Sequence, residues 1–214
     1  MDLDVEQGYE QPEFVNQVDA PSDDLTNNIV TVSLLQVALR AEARRMQVTL
    51  NEFAETADTT TSDGLFELLQ QSSRLLLDYS RYWTHVFATS QTVNSIEEAE
   101  ALYNRLLNQE RSKFNVETLS NVNGQVRRQP AIARGNPEQP AYIVVTLLMG
   151  TADDQPLFDE IYSASMLRDT LDNIRFMQPR YLLILETLWT PQDPNDSLTE
   201  AELAADYENL SAIA

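Results

Sequence analysis

Cysteine is absent from this 214-residue chain, histidine occurs once, and of 14 basic residues only Lys113 is a lysine. Without cysteine there can be no disulfide, thiolate zinc site, iron–sulfur cluster or cysteine nucleophile. A lone histidine, His85 in "YWTHVFA", leaves hydrolase chemistry of the serine–histidine type with one candidate base, and no G-x-S-x-G elbow accompanies it. It reads as a packed or edge residue on the strand face of Trp83 and Phe87. The five glycines, Gly8, Gly64, Gly124, Gly135 and Gly150, stand singly, so no phosphate-cradling loop is present. The scarcity of lysine argues against a polybasic lipid-binding segment. The longest uncharged apolar runs, 29–39 and 141–152, fall short of the roughly 20 residues needed to span a bilayer. The amino-terminal stretch has neither a basic region nor an apolar core of the secretory kind, so a cytosolic protein without direct membrane insertion is expected.

Acid is abundant instead. The formal charge is −20, and its distribution is uneven: residues 1–28 hold eight acids and no base, and 191–214 hold six and no base. Such a field repels phosphate backbones, because duplex binding depends on Lys and Arg displacing counterions. Nucleic acid is therefore not an expected partner. Residues 1–28, rich in acid, Pro12 and Pro21 with scattered apolar side chains, have the composition of a disordered arm.

From residue 29 the pattern becomes that of a globular domain. "IVTVSLLQVAL" reads as a strand with one wetter face, Thr31, Ser33 and Gln36 against Val30, Val32 and Leu34. Near Arg40 the spacing changes to helical, with Ala43, Met46, Leu50 and Phe53. A second helix follows from "TTTSDG", with leucines at 65, 68, 69, 75 and 76, and then an aromatic and β-branched strand over 82–93. Ser95 and Glu98 form a capping-box pattern ahead of Ala99, Leu102, Leu106 and Leu107. Continuous apolar runs at 141–149 and 181–189 read as buried strands, separated by an amphipathic helix that Gln178-Pro179 closes. Thr199 and Glu202 predict a capping box for a last short helix. The fold class expected is α+β: one domain over 29–210, with about four strands and about five helices on one face or both, and a tail at 211–214. If the last two strands are neighbours, the helix between them predicts a parallel pair.

Chemistry-bearing constellations are few. Asp193, Asn195 and Ser197 alternate as in a calcium loop, but Leu198 stands where the turn glycine belongs and Ala204 where the closing acid belongs. Asp153, Asp154, Asp159 and Glu160 read as solvated loop acids. The exception to the acidic trend is the loop bearing Arg127, Arg128 and Arg134, suited to an acidic partner or to the chain's own tails. Trp189 before Pro191 is a further candidate contact, although a strand end tucked under a turn explains it as well. Nothing here predicts a catalytic residue, cofactor or metal.

Four blocks, "LQVALRAEARRMQVTLNEFAETADTTTSDGL" (35–65), "SIEEAEALYNRLLNQERSKFNVETLSNVNG" (95–124) with Arg127-Arg128 after it, "YIVVTLLM" (142–149) and "LETLWTPQDPNDSLTEAELAADYENL" (185–210), occur in order. Together they resemble domain of unknown function fifteen-seventeen, a family of cyanobacteria and plastids. The resemblance implies a role at the thylakoid, where a plant member is tied to adjusting photosynthetic energy dissipation, and it implies no catalytic residues. Relatives usually carry a hydrophobic membrane segment and a Gly-rich stretch upstream, where this chain has its acidic arm, so a soluble relative is expected. The expectation is a non-enzymatic accessory or regulatory interaction protein of a photosynthetic complex, peripheral at the thylakoid through a protein partner. The alternative is a small-molecule-binding sensor or cryptic enzyme with a pocket between sheet and helices, and a homo-oligomer formed through an edge strand or the arginine loop is a third reading.

Overall fold

The computed structural model describes residues 23–118, 121–122, 125–126 and 141–213. Four long strands form the frame: β1 (Val30–Arg40), β2 (Trp83–Val93), β5 (Ala141–Thr151) and β6 (Leu182–Thr190). Two-residue strands β7 (Leu198–Thr199) and β8 (Ser211–Ala212) extend them into a six-stranded sheet ordered β6-β5-β1-β2-β8, with β7 on β5. Another short pair, β3 (Asn121–Val122) and β4 (Gln125–Val126), stands apart. The helices are a single turn α1 (Asp23–Thr26), then α2 (Arg45–Thr56), α3 (Ser62–Asp78), α4 (Ile96–Thr118), α5 (Ala164–Arg175) and α6 (Glu200–Asp206).

Helices cover both faces of the sheet. On one face, Leu35, Val37 and Leu39 of β1 with Val145, Leu147 and Met149 of β5 pack against Met46 and Leu50 of α2, Leu65, Leu69 and Leu76 of α3, and Leu167 and Leu171 of α5. The opposite face carries two clusters. Val32, Leu34, Leu148 and Ile184 meet Ala99, Tyr103 and Leu107 of α4, and farther along the strands Ala38, Tyr142 and Val144 meet Leu203 of α6 and Tyr207. The result is a helix–sheet–helix sandwich of α+β class, in which the residues of the central strands β1 and β5, pointing up or down by turns, meet an apolar layer on either side.

Strand β1 is thus wet on neither face, contrary to the sequence expectation, and every residue from Val30 to Leu39 is buried. Its hydroxyls are put to use inside. Thr31 Oγ1 donates to the Asp153 and Gln155 carbonyls at 2.7 and 3.1 Å, and Ser33 Oγ lies 2.7 Å from Ser90 Oγ, which accepts the Leu157 amide at 2.9 Å. These hydroxyls pin the segment that leaves β5. Gln36 has the parity of Leu34 and lies on the α4 face, not with Thr31 and Ser33.

Pinning of that segment also explains why β5 and β6 are antiparallel neighbours rather than a parallel pair. The chain crosses the ends of β1 and β2, returns through α5, and closes on itself where the Ala152 amide donates to the Tyr181 carbonyl at 2.8 Å. An excursion whose ends meet has made no net travel along the sheet, so β6 must start where β5 stopped.

At the other end, Pro191 interrupts the ladder because it has no amide hydrogen to donate, and the Thr190-Pro191 peptide is cis. Thr190 pairs with Val144, and the chain regains the same edge of β5 at Leu198 and Thr199, opposite Tyr142 and Ala141. The detour is held by Gln47 of α2, fully buried, whose Nε2 donates to the Pro191 carbonyl at 2.6 Å. Thr199 then caps α6 with the full reciprocal box: Glu202 N–H to Thr199 Oγ1 at 3.2 Å and Thr199 N–H to Glu202 Oε2 at 2.7 Å. At α4 the box is shifted, since Glu98 N–H donates to Ser95 Oγ but Glu98 Oε2 accepts from Asn94 N–H.

Both expected tails meet the domain. Asn27 Nδ2 donates to both oxygens of Asp154 at 3.1 and 3.0 Å, so a residue before 29 touches the domain, while residues 1–22 of the expected arm lie outside the described residues. Ser211 and Ala212, expected in a tail, pair with Val86 and His85 as an edge strand.

Candidate functional site

Between the two clusters on the α4 face lies a break in the apolar surface. Gln36 and Thr146 sit opposite each other on β1 and β5, and Gln36 Nε2 donates to Thr146 Oγ1 at 3.1 Å and to Glu110 Oε2 at 2.7 Å. Glu110 is 6% exposed. It reaches this spot because it continues the buried stripe of α4, three residues on from Leu107 and seven from Tyr103, at the spacing that keeps side chains on one helix face. Lys113, one turn later, donates to both carboxylate oxygens at 2.7 and 2.8 Å. The Lys113 ammonium in turn sits 4.1 Å from the centre of the Tyr207 ring, within the range of a cation–π contact.

Alongside, Arg111 Nη2 donates to Glu186 Oε1 of β6 at 2.8 Å. Tyr103 is buried between them and the sheet, and burial first, then the nearby Glu186 charge, holds its phenol above the ordinary tyrosine range, with Arg111 acting in the opposite direction. The group therefore stays neutral over the physiological range. Chemically the arrangement is a strut. Each Glu110 oxygen receives at least one short hydrogen bond from a fixed donor, and the strut ties α4 to the sheet and, through Tyr207, to the end of α6.

The residues singled out from sequence fall elsewhere. Arg127, Arg128 and Arg134 lie outside the described residues. Trp189 is 6% exposed and packs within the core under α2, α3 and α5, the placement that a strand end tucked under a turn predicts. His85 and Trp83 do not share a face, since a bulge opposite Ala38 and Leu39 shifts the register and sends Trp83 to the opposite side. His85 instead meets the edge of the Tyr142 ring at 5.8 Å, and its Nδ1 lies 3.0 Å from Thr84 Oγ1. Asp193, the first acid of the rejected calcium pattern, accepts the Asn195 amide at 2.9 Å in a local turn.

Sequence reasoning missed Glu110, Lys113, Gln36 and Thr146. A signal was there in two polar residues that interrupt apolar stripes, Gln36 in a strand and Glu110 in a helix, since buried amides and carboxylates demand partners. What a single chain could not show was that these two interruptions face each other.

The stretches that build this face, the end of β1 with Gln36, α4, β5 and the β6-to-α6 stretch, fall within the four blocks that carried the resemblance noted above. The sequence profile of the protein of unknown function family DUF1517 matches residues 29–213. The chain belongs to this family. Among its relatives, it is 34% identical over 192 residues to Protein FLAP1 homolog A of the cyanobacterium Synechocystis, covering 86% of this chain and 57% of that protein. It is 35% identical over 183 residues to the chloroplastic FLUCTUATING-LIGHT-ACCLIMATION protein 1 of Arabidopsis thaliana, covering 86% of this chain and 46% of that protein. The chain thus spans about half the length of the curated relatives it matches. No solved structure matches it. Among the described residues, no helix is long and apolar enough to cross a membrane.

Proposed function

We propose that this DUF1517 protein is a non-enzymatic accessory or regulatory protein of a photosynthetic complex in an oxygenic phototroph, held at the thylakoid through a protein partner. The carrying observation is the match of 86% of the chain to proteins named for acclimation to fluctuating light, one of them chloroplastic. The site chemistry supports the non-enzymatic part. Glu110 has donors on both oxygens, so it is poorly placed to take a substrate proton, which requires a free acceptor within hydrogen-bond reach of the substrate. The Arg127, Arg128 and Arg134 loop is the expected partner contact on this reading.

The test is affinity purification of the tagged full chain from its native cell after mild crosslinking, with mass spectrometry of the co-purifying proteins and an Arg127→Glu, Arg128→Glu control. The expected result is one enriched photosynthetic complex that the control loses. Recovery of the protein alone would end the stable-partner reading.

One observation favours the alternative, a small-molecule sensor or cryptic enzyme. Ser72 and Ser73 of α3 are fully buried, and their hydroxyls, with Thr187 Oγ1 and Trp189 Nε1 of β6, have no hydrogen-bond partner among the described residues. Buried polar groups are normally satisfied, and a small polar ligand between α3 and β6 would satisfy these. Native mass spectrometry of the protein from its own cell, showing a bound mass removed on denaturation, would decide for that reading.

A further inference from the structure

In a chain of charge −20, one end of the sheet gathers arginines with no acidic partner among the described residues. Arg40 closes β1, Arg81 precedes β2, and Arg44 and Arg45 follow Arg40 at the start of α2. The guanidinium carbons of Arg40 and Arg81 lie 6.0 and 4.6 Å from the centre of the same ring, Tyr82, and that of Arg168 of α5 lies 5.8 Å from the ring of Trp83, the next residue. All five arginines are exposed. None is within ion-pair distance of an acid among the described residues, where the pairs are Arg74–Asp78, Arg111–Glu186, Lys113–Glu110 and Arg175–Asp172. The acids beside these arginines or on their helices are Glu42, then Glu52 and Glu55 of α2, and Asp169 and Asp172 of α5, Asp172 being paired with Arg175, while Glu200 of α6 faces His85 and Tyr142.

Like charges brought together on one aromatic ring repel, and a carboxylate placed between them relieves the repulsion. The positions are also held in advance: Arg40 Nη2 donates to the Arg81 carbonyl at 3.4 Å, and Arg81 Nη2 donates to Tyr82 Oη at 2.7 Å. A planar guanidinium fixed in this way loses little freedom on taking up a carboxylate. The geometry points to an acceptor site for an acidic peptide.

We propose that its occupant is the chain's own amino-terminal segment, residues 2–10, which contains Asp2, Asp4, Glu6 and Glu10, no base, and Leu3, Val5 and Tyr9 for the aromatic floor. The reach is sufficient. The described chain starts at Asp23, near the beginning of β1, and the arginines lie at the far end of that strand, about 35 Å away at roughly 3.4 Å per residue. The 12 residues between Glu10 and Asp23 give 13 Cα steps, which extend to roughly 45 Å. Tethering raises the effective concentration of the segment at the site to the millimolar range, so contacts too weak to hold a free peptide suffice here. Being a contact between exposed charges, it weakens with salt.

The absence of cysteine supplies the test. A nitroxide attached through Gln7→Cys in the full chain is the only thiol adduct, and the loss of amide NMR signals maps where the segment rests. At low salt, signals of Arg81, Tyr82 and Trp83 and of residues 40–45 should lose intensity, and recover at 0.5 M NaCl. They should also recover in Arg40→Gln, Arg81→Gln, whose shifts elsewhere report that the fold is intact. Loss centred on other residues, the 127–134 loop included, overturns the proposal. So does uniform retention of signal, which would leave the site open for an outside partner.

Discussion

Lys113, the only lysine of the chain, donates to both carboxylate oxygens of Glu110 at 2.7 and 2.8 Å, and Glu110 is also bonded to Gln36 from the middle of the sheet. Replacing Glu110 by Ala strands the Gln36 amide and, in part, the Lys113 ammonium against an apolar layer. Orphaned buried donors of this kind cost about 1–3 kcal/mol. Urea unfolding followed by circular dichroism should show the midpoint falling at constant slope. The triple variant Gln36→Leu, Glu110→Leu, Lys113→Met should recover much of that loss, because exchanging a complete buried polar group for apolar side chains is often neutral. A triple variant less stable than Glu110→Ala would show that the strut adds stability of its own.

Trp189 offers a contrast between readings. As a contact for partners on the surface, its loss would change stability by no more than about 0.5 kcal/mol. As the core residue seen here, Trp189→Ala should cost about 3–5 kcal/mol, measured by the same unfolding. A near-native midpoint would return Trp189 to the surface.

These two cases show what was legible beforehand. Element type was readable wherever one period dominated: the leucines of α3, the apolar runs of β5 and β6, and the Thr199–Glu202 box all follow from local rules. The sandwich geometry was not. Whether β5 and β6 run parallel depends on hydroxyls of Thr31 and Ser90 catching a segment more than sixty residues away in sequence, and no local pattern encodes that. The face of Trp83 depends on a single-residue bulge beside Ala38, which reverses every alternation argument before it. The candidate site was hidden for the same reason, since Gln36 and Glu110 make sense only as a pair.

Gly64 sits in the first turn of α3, where the Thr61 hydroxyl accepts its amide at 3.1 Å. A Cβ there would lie 1.9 Å from the Asp58 carbonyl oxygen. Gly64→Ala gains about 1 kcal/mol in helix propensity, yet it must push away a turn that Asp58 organises by accepting the Thr60 amide and hydroxyl. Overpacking costs about 1–3 kcal/mol, so the net expectation is a lower melting temperature. A rise on thermal unfolding would mean that the turn yields at no cost.

His85 sets a pH dependence whose sign can be worked out. Burial is the larger influence and lowers its proton affinity, while the Glu200 charge acts the other way. With its folded value below the ordinary one of about 6.5, the unfolded chain binds the proton more readily. Its contribution to stability is therefore complete above that value and is lost as pH falls through it. Asp196, which burial shifts upward first of all, is present in both the protein and the His85→Gln variant, so its contribution cancels in their difference. The urea midpoint of the protein, minus that of His85→Gln, should decline between about pH 7 and pH 5.5 on this linkage. A difference that stays level across the window would show that His85 is as well solvated in the fold as in the unfolded chain, and that its contact with Tyr142 does not shield it.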